Sequence, residues 1–94
     1  MPISYRAAQN LIKRGDEAAL RAALEDGLDP NLSNENGWTL LMLAAVEGSS
    51  PIGKLLLEHN ADPNRQNAKS QNARIIATNR GFTQFADLLP PGDA

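Results

Sequence analysis

Laid on itself at an offset of 33 residues, the chain repeats, and that periodicity constrains its fold more than any other feature of the sequence. "LEDGLDPN", ending at Asn31, returns as "LEHNADPN", ending at Asn64. The same shift carries Gly15 to Gly48 and then to Gly81, Asp29 to Asp62, Pro30 to Pro63, Ala44 to Ala77, and Leu55 and Leu56 to Leu88 and Leu89. A unit this short cannot bury its own apolar face, so it is stable only when stacked on copies of itself, and about three copies are needed. The 94 residues hold about that number, which places the chain close to the minimum.

Each unit reads as two short helices and an extended loop. Thr39 is a suitable N-cap for the apolar run "LLMLAA", and Gly48 stops that helix. Ser50 is expected to cap a second helix with Pro51 in its first turn, where a missing N–H does no harm, and Ile52, Leu55 and Leu56 recur at helical spacing. "NADPNRQN" supplies turn chemistry and cannot continue a helix. Residues 4–14 and 17–26 form the preceding helix pair on this reading, and residues 72–80 and 83–89 the following one. The whole of 1–94 is one domain, with units at roughly 4–36, 37–69 and 70–89 and a polar, proline-bearing tail at 90–94.

Composition excludes much chemistry. With no cysteine there is neither a disulfide framework nor a thiolate metal site, and the single histidine, His59, cannot build an imidazole cluster. No metal ligands and no cofactor are therefore expected. The glycines fall singly at the repeat period and none precedes a Gly-Lys-Ser/Thr sequence, so there is no phosphate loop. Asp29 and Asp62 belong to the repeated loop, where hydrogen bonding to nearby backbone explains them better than catalysis. The chain is read as no enzyme. No stretch approaches the length of a membrane span and the first residues lack a signal-peptide core, which points to a soluble, cytoplasmic protein, or a nuclear one in a eukaryote.

The phrase "NENGWTLLMLAAVEGSSPIGKLLLEHNADPN" carries a family resemblance: the chain resembles ankyrin-repeat proteins. Gly37, Thr39, Leu41, Ala44, Ala45, Gly48, Leu55, Leu56, Ala61, Asp62 and Asn64 match the family's pattern. Leu40 and Met42 replace its proline and histidine, and Asn60 stands for its usual glycine, since asparagine also tolerates the left-handed conformation. The resemblance implies an all-α solenoid of stacked helix-turn-helix units with extended loops, the last one degenerate. It also implies a concave surface, made of loop tips and inner helices, on which a protein partner docks.

Three sets of positions fall on that implied surface, each repeating at 33: Tyr5, Trp38 and Gln71; Lys13, Val46 and Asn79; Arg14, Glu47 and Arg80. Glu35, Asn36 and Lys69 join them at the tips. Trp38 is the sharpest candidate, because a helix entry has no need of a large apolar side chain and tryptophan is enriched at binding hot spots. The competing reading is that Trp38 shields a neighbouring loop and Tyr5 packs as an N-terminal cap.

Charge is uneven around the net value of −2. Arg65, Lys69, Arg74 and Arg80 follow one another with no intervening acid, and could meet an acidic partner. Nucleic acid is disfavoured by the acidic remainder, and neither a small-molecule substrate nor a membrane is implied. A small inhibitory or self-associating protein is the alternative to a monomeric interaction module. Arg74 stands where the second unit has Leu41, and the expectation is a solvent-facing substitution at the end of the stack: its stem covers Leu and Ile neighbours while the guanidinium reaches water, with Ile75, Ile76 and Ala77 turned inward. On that reading Arg74→Leu is tolerated or stabilising, and promotes association.

Overall fold

Six helices follow in chain order in the structure, a computed structural model that describes residues 2–90: α1 (Tyr5–Arg14), α2 (Glu17–Glu25), α3 (Leu40–Glu47), α4 (Ser50–Glu58), α5 (Ala73–Asn79) and α6 (Thr83–Ala86). Residues 91–94 of the expected tail lie outside the described residues. The inner helices α1, α3 and α5 each start at a side-chain cap. Ser4 Oγ accepts from the Ala7 N–H at 3.2 Å, Thr39 Oγ1 from Met42 at 3.2 Å and Asn72 Oδ1 from Ile75 at 2.8 Å. They stop where Gly15, Gly48 and Gly81 turn left-handed, at φ of 69°, 69° and 81°. Among the described residues the two left-handed ones that are not glycine are Asn60 and Ser70, which stand 33 positions after the left-handed Gly27 and Gly37. Backbone geometry is thus held through the repeat even where residue type is not.

Helices α1, α2 and α5 are a residue shorter at one or both ends than expected, with Ser4, Asp26, Asn72 and Arg80 as their caps, and two further boundaries also differ. Ser50 is the first residue of α4 rather than its cap; Ser49 occupies the N-cap, and its side chain makes no capping bond. Helix α6 is a single turn ending at Ala86, short of Leu89. Leu89 precedes Pro90, whose ring disfavours helical backbone in the residue before it.

Inner helices pack on inner helices (α1 on α3, α3 on α5) and outer on outer (α2 on α4, α4 on α6), while each inner helix also packs on the outer helix of its own unit. Ala8, Ala44, Ala45 and Ala77 are fully buried between inner helices, where short side chains permit close approach. Leu20, Leu40, Leu41, Ile52, Leu55, Leu56 and Phe85 fill the space between the rows. Phe85 is accommodated by a glycine inside α4: a Cβ added at Gly53 would stand 2.6 Å from Phe85 Cε2.

The loops are tied across units as well. Asn31 Nδ2 donates to the Asn60 carbonyl at 3.2 Å, and Asn31 Oδ1 accepts from the Asp62 N–H at 2.7 Å. Asp29 and Asp62 accept from the N–H groups of Asn31 and Asn64 at 2.8 and 2.9 Å, the backbone-binding role expected of them.

Arg74 corrects the expectation made for it. Its Nη1 donates to the carbonyls of Ala86 at 3.1 Å and Leu89 at 2.7 Å, so the half-buried guanidinium closes the end of α6 instead of reaching into water. A helix end leaves carbonyls without intrahelical partners, and a one-turn helix has few bonds of its own to hold it. Ile75 also departs from the inward stripe: it is 40% exposed, while Ile76 and Ala77 are buried.

Two stability measurements check this packing. Arg74→Leu leaves two carbonyls without their charged donor and is expected to cost about 1.5–3 kcal/mol in urea unfolding; unchanged stability would contradict the capping role. Gly53→Ala gains helix propensity, about 1 kcal/mol, but forces its methyl into a ring that is itself 1% exposed and cannot retreat. A net loss of about 1–2 kcal/mol is expected from overpacking, and a stabilised variant would contradict the contact.

Candidate functional site

The loop tips are built by two asparagines 33 residues apart. Asn34 Oδ1 accepts from the N–H groups of Asn36 at 2.9 Å and Trp38 at 3.0 Å, and Asn67 Oδ1 accepts from those of Lys69 at 2.9 Å and Gln71 at 3.1 Å. The backbone N–H of each asparagine donates to the carbonyl of Trp38 or Gln71, and an antiparallel bridge between Ser33 and Thr39 completes the first tip. Sequence reasoning did not single out Asn34 and Asn67, although their coincidence at the repeat offset was a usable signal.

Successive tips touch. The Ala68 N–H donates to the Asn36 carbonyl at 3.0 Å, and a Cβ at Gly37 would stand 3.0 Å from Asn67 Cα. Only a residue without a side chain lets the two backbones meet so closely while holding φ at 79°. Glu35, Asn36 and Lys69 are exposed on these tips, and Trp38 and Gln71 are half-buried behind them.

Of the periodic triple Tyr5, Trp38 and Gln71, Tyr5 is tied within the molecule. Its hydroxyl donates to the Trp38 carbonyl at 2.9 Å, from the first unit to the second, and burial raises its pKa above 10.0. Trp38 packs partly against the core and keeps part of its surface in solvent. It is both a packing residue and an accessible one.

Between α1 and α3 a shallow groove of about 140 Å³ is lined by Gln9, Ile12, Lys13, Leu43, Val46 and Glu47. Val46 and Leu43 are half-buried at its floor, with Lys13 and Glu47 exposed at its rim. Leu43 was missed in the sequence because it belongs to a run of apolar residues in which nothing marks the one that faces outward. Arg14 and Glu47 are exposed as the last residues of α1 and α3 and Arg80 as the C-cap of α5, with Arg14 3.4 Å from Asp16.

The basic cluster expected in the third unit is divided. Arg65 stands 3.9 Å from Asp62, and Arg74 is engaged by the carbonyls of α6. Among the described residues Lys69 and Arg80 remain without an ion pair, and they sit before and after α5, a helix of seven residues and about 10 Å. His59 ends α4, its backbone N–H donating to the carbonyls of Leu55 and Leu56. Among the described residues no three His, Cys, Asp or Glu side chains gather as metal ligands, every buried polar side-chain atom has a partner, and no helix is long and apolar enough to cross a membrane.

A family profile described as ankyrin repeats, in three copies, matches residues 5–92. Among curated proteins the chain is 41% identical over 78 residues to the NAD-capped RNA hydrolase NUDT12 of Homo sapiens, covering 80% of this chain and 16% of that protein. It is 42% identical over 55 residues to a putative ankyrin repeat protein of fowlpox virus, covering 58% and 7%. It is 37% identical over 67 residues to the 2-5A-dependent ribonuclease of Mus musculus, covering 70% and 9%. The chain thus spans less than a fifth of the length of each of these relatives.

The tie from Tyr5 is testable by itself. Tyr5→Phe removes one hydrogen bond and is expected to cost about 1 kcal/mol in thermal or urea unfolding. Because the folded pKa lies above the unfolded value, this residue's contribution is full below pH 10.0 and is lost as pH rises through the folded pKa. The alkaline loss of stability should therefore be smaller in Tyr5→Phe; an identical alkaline profile would show that the hydroxyl is not held.

Proposed function

The chain belongs to the ankyrin-repeat family, and on that premise we propose that it is a non-catalytic protein–protein interaction module whose partner docks on the concave surface of loop tips and inner helices. Ankyrin repeats generally mediate contact between proteins. The observation that carries the more specific reading is the groove between α1 and α3, where Leu43 and Val46 form an apolar floor between the charged rims of Lys13 and Glu47. Partly exposed Trp38 stands at the entry of α3, behind the tips. An apolar centre with a polar rim is the anatomy of an interface that excludes water from a few strong contacts. Glu35, Asn36, Lys69 and Gln71 are assigned to the tip side of this surface, and Arg14, Glu47 and Arg80 to its far edge. Tyr5 is assigned a supporting role, holding the Trp38 backbone.

The proposal takes the repeat units as 4–36, 37–69 and 70–89, the location as cytoplasmic, and the ligand as a protein, with neither cofactor nor small-molecule substrate. The hydrolase and ribonuclease activities named for the relatives are no part of it. A contact led by the basic third unit has less support, because Arg65 and Arg74 have partners within the chain.

Binding to the partner recovered from the native source tests the surface. Val46→Glu places a charge on the groove floor at a half-buried position, and a loss of about 30-fold in Kd, near 2 kcal/mol, is expected. Trp38→Ala should weaken binding similarly, with a measurable loss of stability from its packing against the core. Lys54→Glu, exposed on the outer helix α4, should leave Kd unchanged. Equal effects from the inner and outer substitutions would overturn the assignment.

A further inference from the structure

Burial compared along the 33-residue register separates positions that face a following unit from positions that face a preceding one. Met42 and Ala45 are 1% and 0% exposed in the second unit, whereas their counterparts Ile75 and Thr78 in the third are open to solvent. In the opposite sense, Leu40 and Ala44 are fully buried and so are Ala73 and Ala77, whereas their first-unit counterparts Ala7 and Leu11 are only half-buried. The molecule therefore carries both halves of its own internal junction, one on α5 and the other on α1, at opposite ends of the row of inner helices.

We propose that a second copy of this chain stacks end to end on the first, the α5 face bearing Ile75 docking against the α1 face bearing Ala7 and Leu11. The occupant follows from the internal interface: the junctions between α1 and α3 and between α3 and α5 already show which surface covers a residue in the register of Ile75. That surface is the one presented, partly open, by Ala7 and Leu11. Ala7 is small there, and Leu11, which stands in the register of Ala44 and Ala77, adds apolar area for the exposed Ile75 to cover. The contact is heterologous, so each copy keeps one free face of each kind and assembly is open-ended.

One column of charge opposes it. Arg14 and Glu47 alternate in sign within the molecule, but a stacked copy brings Arg14 beside Arg80, both exposed. Association is therefore weak at low salt and strengthens as salt screens the like charges.

Sedimentation or light scattering of the 94-residue chain over a wide concentration range at high salt tests this. The weight-average mass should rise above the monomer's 10.1 kDa with concentration and fall back towards it when salt is removed. Ile75→Glu, at an exposed site, and Ala7→Glu, where a first-turn glutamate favours the helix, should each remain monomeric at their native helical content. Mixed together they should form a one-to-one dimer that grows no further, because each retains the face the other has lost. A wild-type chain that stays monomeric throughout, or either single variant still self-associating, would overturn end-to-end stacking.

Discussion

Close approach of inner helices is the constraint from which the rest of this structure follows. Ala8, Ala44, Ala45 and Ala77 are fully buried where α1, α3 and α5 lie side by side, and a longer side chain at any of them would push the units apart. The larger residues are then confined to the space between the inner and outer rows, where Leu41, Ile52, Leu55 and Leu56 lose nearly all their exposure. No unit supplies this burial alone, so stability is a property of the junctions. The third unit shows how little freedom remains. Phe85 needs the missing side chain of Gly53 in the unit before it, and its shortened outer helix needs Arg74 for the carbonyls at its end.

The same junctions prepare the proposed binding surface. Because Gly37 lets the first tip meet Asn67 of the second, and Tyr5 of the first unit holds the Trp38 carbonyl, tips that would otherwise be independent loops form one connected edge. Asn34 and Asn67 fix the shape of each tip from within. A partner that docks there meets a surface whose ordering was completed during folding, which lowers the entropic cost of association. The groove floor of Leu43 and Val46 is then left as apolar area not used by the core.

Positions that serve the repeat were legible in the sequence because they recur. The three left-handed glycines after the inner helices, the cap at Thr39, the loop aspartates and the substitution of Asn60 for glycine all follow from alignment at 33 and elementary backbone chemistry. Positions whose role depends on a single partner were not. Arg74 read as solvent-facing because its carbonyl partners lie 12 and 15 residues away, on a helix whose early end at Ala86 could not be foreseen. Ile75 read as inward because hydrophobicity alone does not say which neighbour is present to cover it. Of the proposed surface, the positions of the tips and of Trp38 were legible from the repeat, whereas Asn34 and Asn67, which shape the tips, were not singled out, Leu43 was hidden in an apolar run and the basic cluster dissolved once Arg65 and Arg74 found partners within the chain.

On the proposed function, a protein partner covers the inner, tip-bearing side of the stack. Amide hydrogen exchange measured on the chain alone and in complex with its partner reads this directly, residue by residue. Added protection is expected at the tips, residues 34–38 and 67–71, and along the last turns of α1 and α3, with exchange in α2 and α4 unaltered. Protection concentrated instead on the outer groove lined by Glu17, Arg21, Pro51 and Lys54, with the tips exchanging as in the free chain, would contradict it.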